Sequence, residues 1–439
     1  MASWRISFAL AGQISTMKWI APESRTLVGR GRSIAEFLAL RRNTSLLLVA
    51  LLLVGTGERL WLGFAPKYLQ TLGASILIIG LFDALQTLLG ALYAYPGGWL
   101  TDRWGQRRSL MLFSTISLAG YILVLVWHHW LALLLGTFFF LAWSALSLPT
   151  TFSVVATSLK ARQHTMGVGI QSMMRRVPMM LGPLGGGWLI THFGWTRGVQ
   201  YALLLCLLMN VLTMLFQWFM LEPGKGGLAV AAEPGRTNLL AVVRSFTPAL
   251  RELLVSDILI RFCERIPYAF IILWAMNHAG LDAQQFGVLV ACEMVTAMIC
   301  YIPVAHLADK YGRRPFVMVT FLFFTLFPVT LLWGDSFGWL ALAFVVRGLK
   351  EFGEPARKAL IIGEAVPALR ARTYGAYYLI RDCVVTSGSF LGAWLWSISP
   401  QANFIGAAVC GALGTAWFWW FIYRRPPAAG LTGGQKGAD

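Results

Sequence analysis

The chain has 439 residues, 57% hydrophobic and only 13% charged, with 36 Lys and Arg against 19 Asp and Glu. A soluble domain carries about 25% charged residues because its surface faces water, so this composition excludes an ordinary soluble enzyme and points to the bilayer as the second solvent. The net charge of +17 does not mark a nucleic-acid binder, because the basic residues fall only in alternate gaps between apolar runs.

In chain order, residues 1–44 form a basic N-terminal segment. Its first part, Met1 to Pro22, holds Arg5, Lys18 and no acid, the composition of a targeting segment. The interrupted apolar stretch and the lack of a small-residue cleavage site favour a surface-lying segment, or a later start at Met17. Twelve apolar spans follow, at about 45–68, 76–100, 109–128, 130–155, 166–191, 197–221, 252–275, 286–308, 315–334, 338–362, 373–396 and 402–423. Each approaches the roughly 20 residues needed to cross about 30 Å of hydrocarbon. Basic clusters precede span one (Arg25 to Arg42) and fill the gaps after spans two, four, six, eight, ten and twelve. The intervening gaps, such as 70–75 and 277–285, contain no Lys or Arg. That alternation places both termini on the cytoplasmic side of the inner membrane.

The one long interruption, residues 222–251, rich in Gly, Pro and charge, reads as a cytoplasmic loop. It divides the chain into six-helix halves at 45–221 and 252–423, with a cytoplasmic tail at 424–439. The halves are copies. Gly80, Pro96, Leu100 and Asp102 match Gly287, Pro303, Leu307 and Asp309 at an offset of 207. Glu58, Arg59, Pro149, Arg175, Gly182, Gly186 and Trp188 match Glu264, Arg265, Pro355, Arg381, Gly388, Gly392 and Trp394 at 206. The expected fold is an all-α membrane protein, twelve transmembrane helices in two pseudo-symmetric six-helix bundles, a transporter architecture.

Two loops carry the family signal. After span two stands Gly98-Trp-Leu-Thr-Asp102-Arg103-Trp-Gly105-Gln-Arg107-Arg108, and after span eight Ala305-His-Leu-Ala-Asp309-Lys310-Tyr-Gly312-Arg313-Arg314. Gly105 and Gly312 suit a tight reversal, and the basic residues suit an anionic leaflet. The paired loops resemble the cytoplasmic signature G-x-x-x-D-R/K-x-G-R-R/K of the major facilitator superfamily, departing from it at Gln106 and Ala305. The resemblance implies a gating latch in which Asp102 and Asp309 cap helices of the opposite half; the plain alternative is a topology anchor. Gly182-Pro-Leu-Gly-Gly186 resembles an element of proton-coupled antiporters in that superfamily, although close helix packing accounts for it equally. The superfamily's basic residue in span four is absent.

Charge inside the spans is the other signal, since each charged residue at the bilayer centre costs about 2.5–3.5 kcal/mol unless paired or wet. Glu58-Arg59 in span one and Glu264-Arg265 in span seven occupy equivalent depths. Asp83, Glu293, Arg175, Arg176, Arg381 and Asp382 lie in spans two, eight, five and eleven. Span ten carries Arg347, Lys350, Glu351, Glu354, Arg357 and Lys358, spaced for the i,i+4 pairs Arg347–Glu351, Lys350–Glu354 and Glu354–Lys358, and span seven repeats the device with Asp257, Arg261, Glu264 and Arg265. Either these are structural ion pairs or they line a water-filled cavity, and a stripe of charge faces protein or water in both cases. The proton-coupling candidates are Glu58, Glu264, Glu293 and Asp382, acids that low dielectric and a neighbouring cation pull in opposite directions. The substrate-cavity candidates are Arg59, Arg175, Arg265, Arg381, Glu351 and Glu354, since Arg binds anionic groups in bidentate fashion.

The six cysteines lie inside apolar runs and the six histidines have no ligand spacing, so no metal, cofactor or enzyme activity is expected. The expected partners are the lipid bilayer, protons and a small-molecule substrate, not nucleic acid, with the chain acting as a monomer. The expected function is secondary active transport by alternating access, proton-coupled, of a small polar or charged solute. The alternatives are a multidrug efflux antiporter and a non-transporting receptor or assembly protein of the same fold.

Overall fold

A computed structural model of the chain describes residues 42–146, 175–220, 239–364 and 370–424, which are helical with no strand among them. Residues 1–41, most of the central loop and the C-terminal tail lie outside the described residues. Six helices are long and apolar enough to cross a membrane by length and composition alone. That number falls short of twelve because spans one, seven and ten are interrupted, five and six are fused, span four is described only in part, and span eleven is long enough but too polar to count among the six.

Span one runs as Arg42–Leu62 and, after a one-turn break, as Ala65–Thr71. Span seven repeats this as Pro248–Tyr268 and Ile271–Asn277. The breaks fall on buried Phe64 (φ −99°, ψ −6°) and Phe270 (φ −97°, ψ −12°), separated by the same 206 residues as the sequence repeat. Span two, Ile76–Trp104, meets span three, Gln106–Val126, at Gly105 (φ 80°). Span eight, Ala283–Tyr311, meets span nine, Arg313–Leu331, at Gly312 (φ 91°). Both signature glycines therefore occupy a backbone region that disfavours any residue with a Cβ. Spans five and six form one element, Arg176–Met220, that reverses at Gly194 (φ 77°). Span four is Trp130–Phe140, helical again to residue 146. Span ten divides into Phe337–Leu349 and Glu354–Gly363. Span eleven is Arg370–Ile398, and span twelve is Pro400–Phe418 with a wide last turn, Trp419–Tyr423.

Small residues set how closely these helices approach. A Cβ placed on Gly186 would lie 1.7 Å from the Leu60 carbonyl oxygen, and one on Gly392 would lie 2.2 Å from that of Ile266. These are equivalent contacts, joining span five to span one and span eleven to span seven. The halves meet along two further equivalent seams. A Cβ on Gly80 would lie 2.5 Å from the Ala393 Cβ and 3.1 Å from the Ser389 carbonyl oxygen, between spans two and eleven. One on Gly287 would lie 2.3 Å from the Pro183 carbonyl oxygen, between spans eight and five. Helices in lipid associate through such close backbone contact rather than through hydrophobic burial.

Both seams lie toward the end of the bundle opposite the basic loops, hereafter the distal end. Polar contacts bridge the halves there: Lys67 donates to Asn277, Asn277 Nδ2 donates to Gln70 Oε1 at 3.2 Å, and the Gln284 N–H donates to Thr191 Oγ1 at 3.1 Å. Phe64 packs edge-on against Phe286 with ring centroids 5.9 Å apart. Large side chains such as Phe219, Ile299 and Trp420 are exposed on the flanks, where lipid is the solvent. Gly186→Ala is expected to destabilise the protein by about 1–3 kcal/mol or more through overpacking, read as a drop in thermal unfolding temperature in detergent. Gly90→Ala, whose Cβ would meet open space, is expected to leave that temperature unchanged.

Candidate functional site

Beneath the distal closure lies a central cavity of about 260 Å³ lined by spans one, two, five, seven, eight and ten. Its polar lining is Arg59, Asp83, Gln86, Glu264, Glu293, Arg347, Lys350 and Glu351. The apolar lining includes Leu62, Phe82, Met179, Pro183, Tyr268, Phe286, Val290 and Met294. A second cavity of about 380 Å³ adjoins it between spans two, seven and eleven, sharing Gln86, Glu264 and Tyr268 and adding Thr87, Arg261, Arg265, Arg381 and Asp382. The stripe of charge read from the sequence thus faces internal space.

Each acid of the central cavity is matched by a cation. Asp83 accepts from Arg265 at 3.2 Å and from Ser389 Oγ at 2.6 Å, and Arg265 also donates to Thr87 Oγ1. Glu264 is held between Lys350 and Arg261, each at 2.6 Å. Glu293 receives Arg347 at 3.2 Å with Lys350 at 3.7 Å, and Glu351 receives Arg176 of the other half at 3.0 Å. The Arg347 guanidinium is also enclosed by the rings of Tyr268, Phe327 and Phe344 within 5.6 Å, so aromatic faces replace part of the water it lost.

Two of the three pairs expected along span ten do not form. The helix breaks between Leu349 and Glu354, where the Gly353 N–H donates to Thr320 Oγ1 at 2.6 Å and a Cβ on Gly353 would lie 2.4 Å from the Phe316 carbonyl oxygen. Pro355, at the start of the following helix, has no N–H with which to continue the upstream ladder. The break turns Arg347 and Lys350 toward spans seven and eight instead of toward Glu351 and Glu354. The Glu354–Lys358 pair survives at 3.6 Å, with Lys358 nearly half exposed. Glu354 binds more closely to Arg357, at 2.7 Å, and to Arg261, at 3.3 Å.

Deeper in the C-terminal half, Asp257 is fully buried and takes Arg357 at 2.5 Å, Tyr377 Oη at 3.2 Å and Arg381 at 3.5 Å. Arg381 also binds Asp382 at 2.7 Å. Along span seven the i,i+4 device is realised, Arg261 lying 3.9 Å from Asp257. Asp257→Ala would strip the buried Arg357 of one of its two acids. The expected cost is about 3–5 kcal/mol, read as a large loss of thermal stability, with the outward-facing control Lys358→Ala within about 0.5 kcal/mol of wild type.

The N-terminal half is built differently. Glu58, only 5% exposed, accepts one hydrogen bond among the described residues, from Ser144 Oγ at 3.2 Å. At the repeat offset of 206, Ser144 is the counterpart of Lys350 and Gly55 that of Arg261. The same acid therefore meets two cations in one half and a hydroxyl in the other. Arg59 and Arg175 form no ion pair among the described residues. Sequence reading passed over Ser144, Tyr377 and Ser389, three partners of buried acids. The repeat offset points to Ser144, because it carries Lys350 onto that position.

At the basic loops, Arg107 donates to the Trp218 carbonyl and lies over its ring at 4.9 Å, and Arg313 donates to the Ala359 carbonyl at 3.2 Å. Arg103 lies over Trp99 and Lys310 over Tyr311, each at 5.3 Å. Arg108 is exposed. The side chains of Asp102 and Asp309, and the surroundings of Gly98, lie outside the described residues, as does the start of span five near Thr165 that Asp309 was expected to cap; Thr373, near which Asp102 was expected to cap span eleven, lies within the helix Arg370–Ile398 and is buried.

Comparison with known proteins agrees with this architecture. The sequence profile of the Major Facilitator Superfamily matches residues 46–263 and 253–438. The multidrug resistance protein MdtG of Serratia proteamaculans is 23% identical over 411 residues, 88% of this chain and 95% of that one. A homologue of the multidrug efflux pump PmrA from Lactococcus lactis is 25% identical over 296 residues, 64% of this chain and 70% of that one. Among solved structures, a POT family transporter bound to a conjugated peptide superposes with a TM-score of 0.72 at 14% identity, covering 87% of this chain and 96% of that one. The nucleoside transporter NupG superposes with a TM-score of 0.68 at 12% identity, covering 87% and 98%. With two matched repeats, twelve spans and a polar cavity between the halves, the chain belongs to the Major Facilitator Superfamily of membrane transporters and is not an enzyme.

Proposed function

We propose that the protein is a proton-coupled secondary transporter of the inner membrane that works as a monomer by alternating access, with both termini cytoplasmic and a small charged solute bound in the central cavity. The observation that carries the coupling is the contrast between two equivalent acids. Neutralising Glu264 would leave Lys350 and Arg261 buried without their shared partner, which is costly in a medium of low dielectric. Glu58 can change charge while orphaning no ion-paired cation. The cations that act on it, Arg59 and Arg175, form no ion pair with it among the described residues. Glu58 is thus the proton carrier in this reading, and Glu264, Glu293 and Asp382 hold the C-terminal half together.

The names of the relatives supply a second reading, efflux of drugs in exchange for protons, and the apolar part of the cavity lining suits it. Both readings share the carrier. In proteoliposomes with an imposed pH gradient, Glu58→Gln is expected to abolish gradient-driven accumulation while retaining ligand-induced thermal stabilisation. Normal accumulation by that variant would remove Glu58 from the mechanism. Epitope tags at either terminus, or within 222–251, are expected to be accessible only from the cytoplasmic side in intact cells. Labelling of the 222–251 tag from outside would overturn the proposed orientation.

A further inference from the structure

The two halves are alike enough that a residue missing from one of them can be located in space. Arg265 and Arg59 are equivalent, and each lies beside an equivalent glycine: a Cβ on Gly388 would lie 3.5 Å from the Arg265 Cβ, and one on Gly182 would lie 2.4 Å from the Arg59 Cβ. Arg265 reaches into the opposite half, to Asp83 and Thr87 of span two, and Ser389 of span eleven completes the socket around Asp83. The repeat offsets carry Asp83 onto Val290, Thr87 onto Met294 and Ser389 onto Pro183. The correspondence is spatial as well as sequential, because Gly80 against Ser389 and Gly287 against Pro183 are the same seam in the two halves. All three counterparts line the central cavity with Arg59.

We propose that the place Asp83 fills for Arg265 is filled for Arg59 by the ligand, and that the transported solute is an organic anion with an apolar body, its carboxylate on Arg59 and its body against Val290, Met294 and Pro183. Four observations support this. Arg59 forms no ion pair among the described residues: the adjacent Glu58 feels its charge but is turned to Ser144 and lies outside the cavity lining, and every acid in that lining is already within 4 Å of another cation. Residues 147–174, which complete span four and begin span five, contain no Asp or Glu that could serve instead. A cation at this depth is costly while unmatched, so an anion is stabilised there more than a neutral solute. The wall facing Arg59 has a valine, a methionine and a proline where its counterpart has an acid and two hydroxyls, so a ligand body lying against that wall meets no polar partner there. The inference rests on the transport reading for its biological sense, but the recognition itself is an equilibrium property of the cavity.

The test uses the purified full-length protein in detergent at neutral pH with three probes of one shape: naphthalene-1-carboxylate, its carboxamide and 1-naphthylmethylamine. Wild type is expected to bind the carboxylate about tenfold more tightly than the carboxamide, the difference a charge-assisted pair supplies, and to bind the amine least. Arg59→Gln is expected to bring carboxylate and carboxamide within about threefold of one another. Val290→Asp is expected to do the same with Arg59 intact, because it supplies the acid that the socket lacks; it adds a group, so it also guards against loss of fold in the arginine variant. A wild type that prefers the amine, that does not discriminate or that binds none of the probes overturns the inference. Retention of the full preference by both variants, with thermal unfolding near wild type, overturns it equally. Failure of pH-driven flux with the binding preference intact would count against the proposed coupling and leave the anion site standing.

Discussion

Pairing of charge in a medium that will not solvate it is the constraint on which this molecule depends. Asp257, Glu264, Glu293 and Glu354 are placed so that each has at least two cations within 4 Å. The C-terminal half is consequently held by directional bonds that tolerate little change of geometry. Its spans ten and eleven are shaped to this purpose, since the break before Gly353 turns two cations away from their own helix and toward spans seven and eight. The N-terminal half has the same helices with few of these charges, and it relies on close backbone contact and on the aromatic cluster of Trp61, Tyr121 and Phe140. One half is cross-linked by ions and the other is packed.

That asymmetry is set on a symmetric frame. The glycine contacts of spans one with five and seven with eleven bind helices within each half, and the seams of spans two with eleven and five with eight join the halves. Small residues at the second pair of seams allow close contact without interlocking side chains. The central cavity lies where those seams diverge, and its lining draws on both halves.

Much of this was legible in the sequence, for identifiable reasons. The period and length of the apolar runs dictated the spans. Gly105 and Gly312 announced their turns because a positive φ admits few other residues, and the offsets of 206 and 207 align the halves in the sequence itself. The buried pairing of span seven was visible as i,i+4 spacing. In span ten only Glu354–Lys358 was, because spacing presumes an unbroken helix, and the break arises from Thr320 and Phe316 on a different span. Nor could spacing separate Glu58 from Glu264: the two look alike in sequence and differ only through Ser144 and Lys350, which approach from span four and span ten. Pairing across helices is a tertiary fact, and only the repeat offset carries any hint of it.

The interruptions at Phe64 and Phe270 have a mechanical consequence. Each leaves a two-turn helical tip, Ala65–Thr71 or Ile271–Asn277, attached to its main shaft by a turn whose amide bonds already run to the third residue back, Phe64 to Trp61 and Phe270 to Pro267. A continuous helix would have to break its ladder to bend there, whereas these joints have given up that continuity in advance. Lys67 and Asn277, which clasp across the distal end, ride on the two tips. The tips can therefore tilt as short levers while the shafts bearing Glu58, Arg59, Glu264 and Arg265 keep their positions, so that the clasp and the charged layer beneath it can move one after the other.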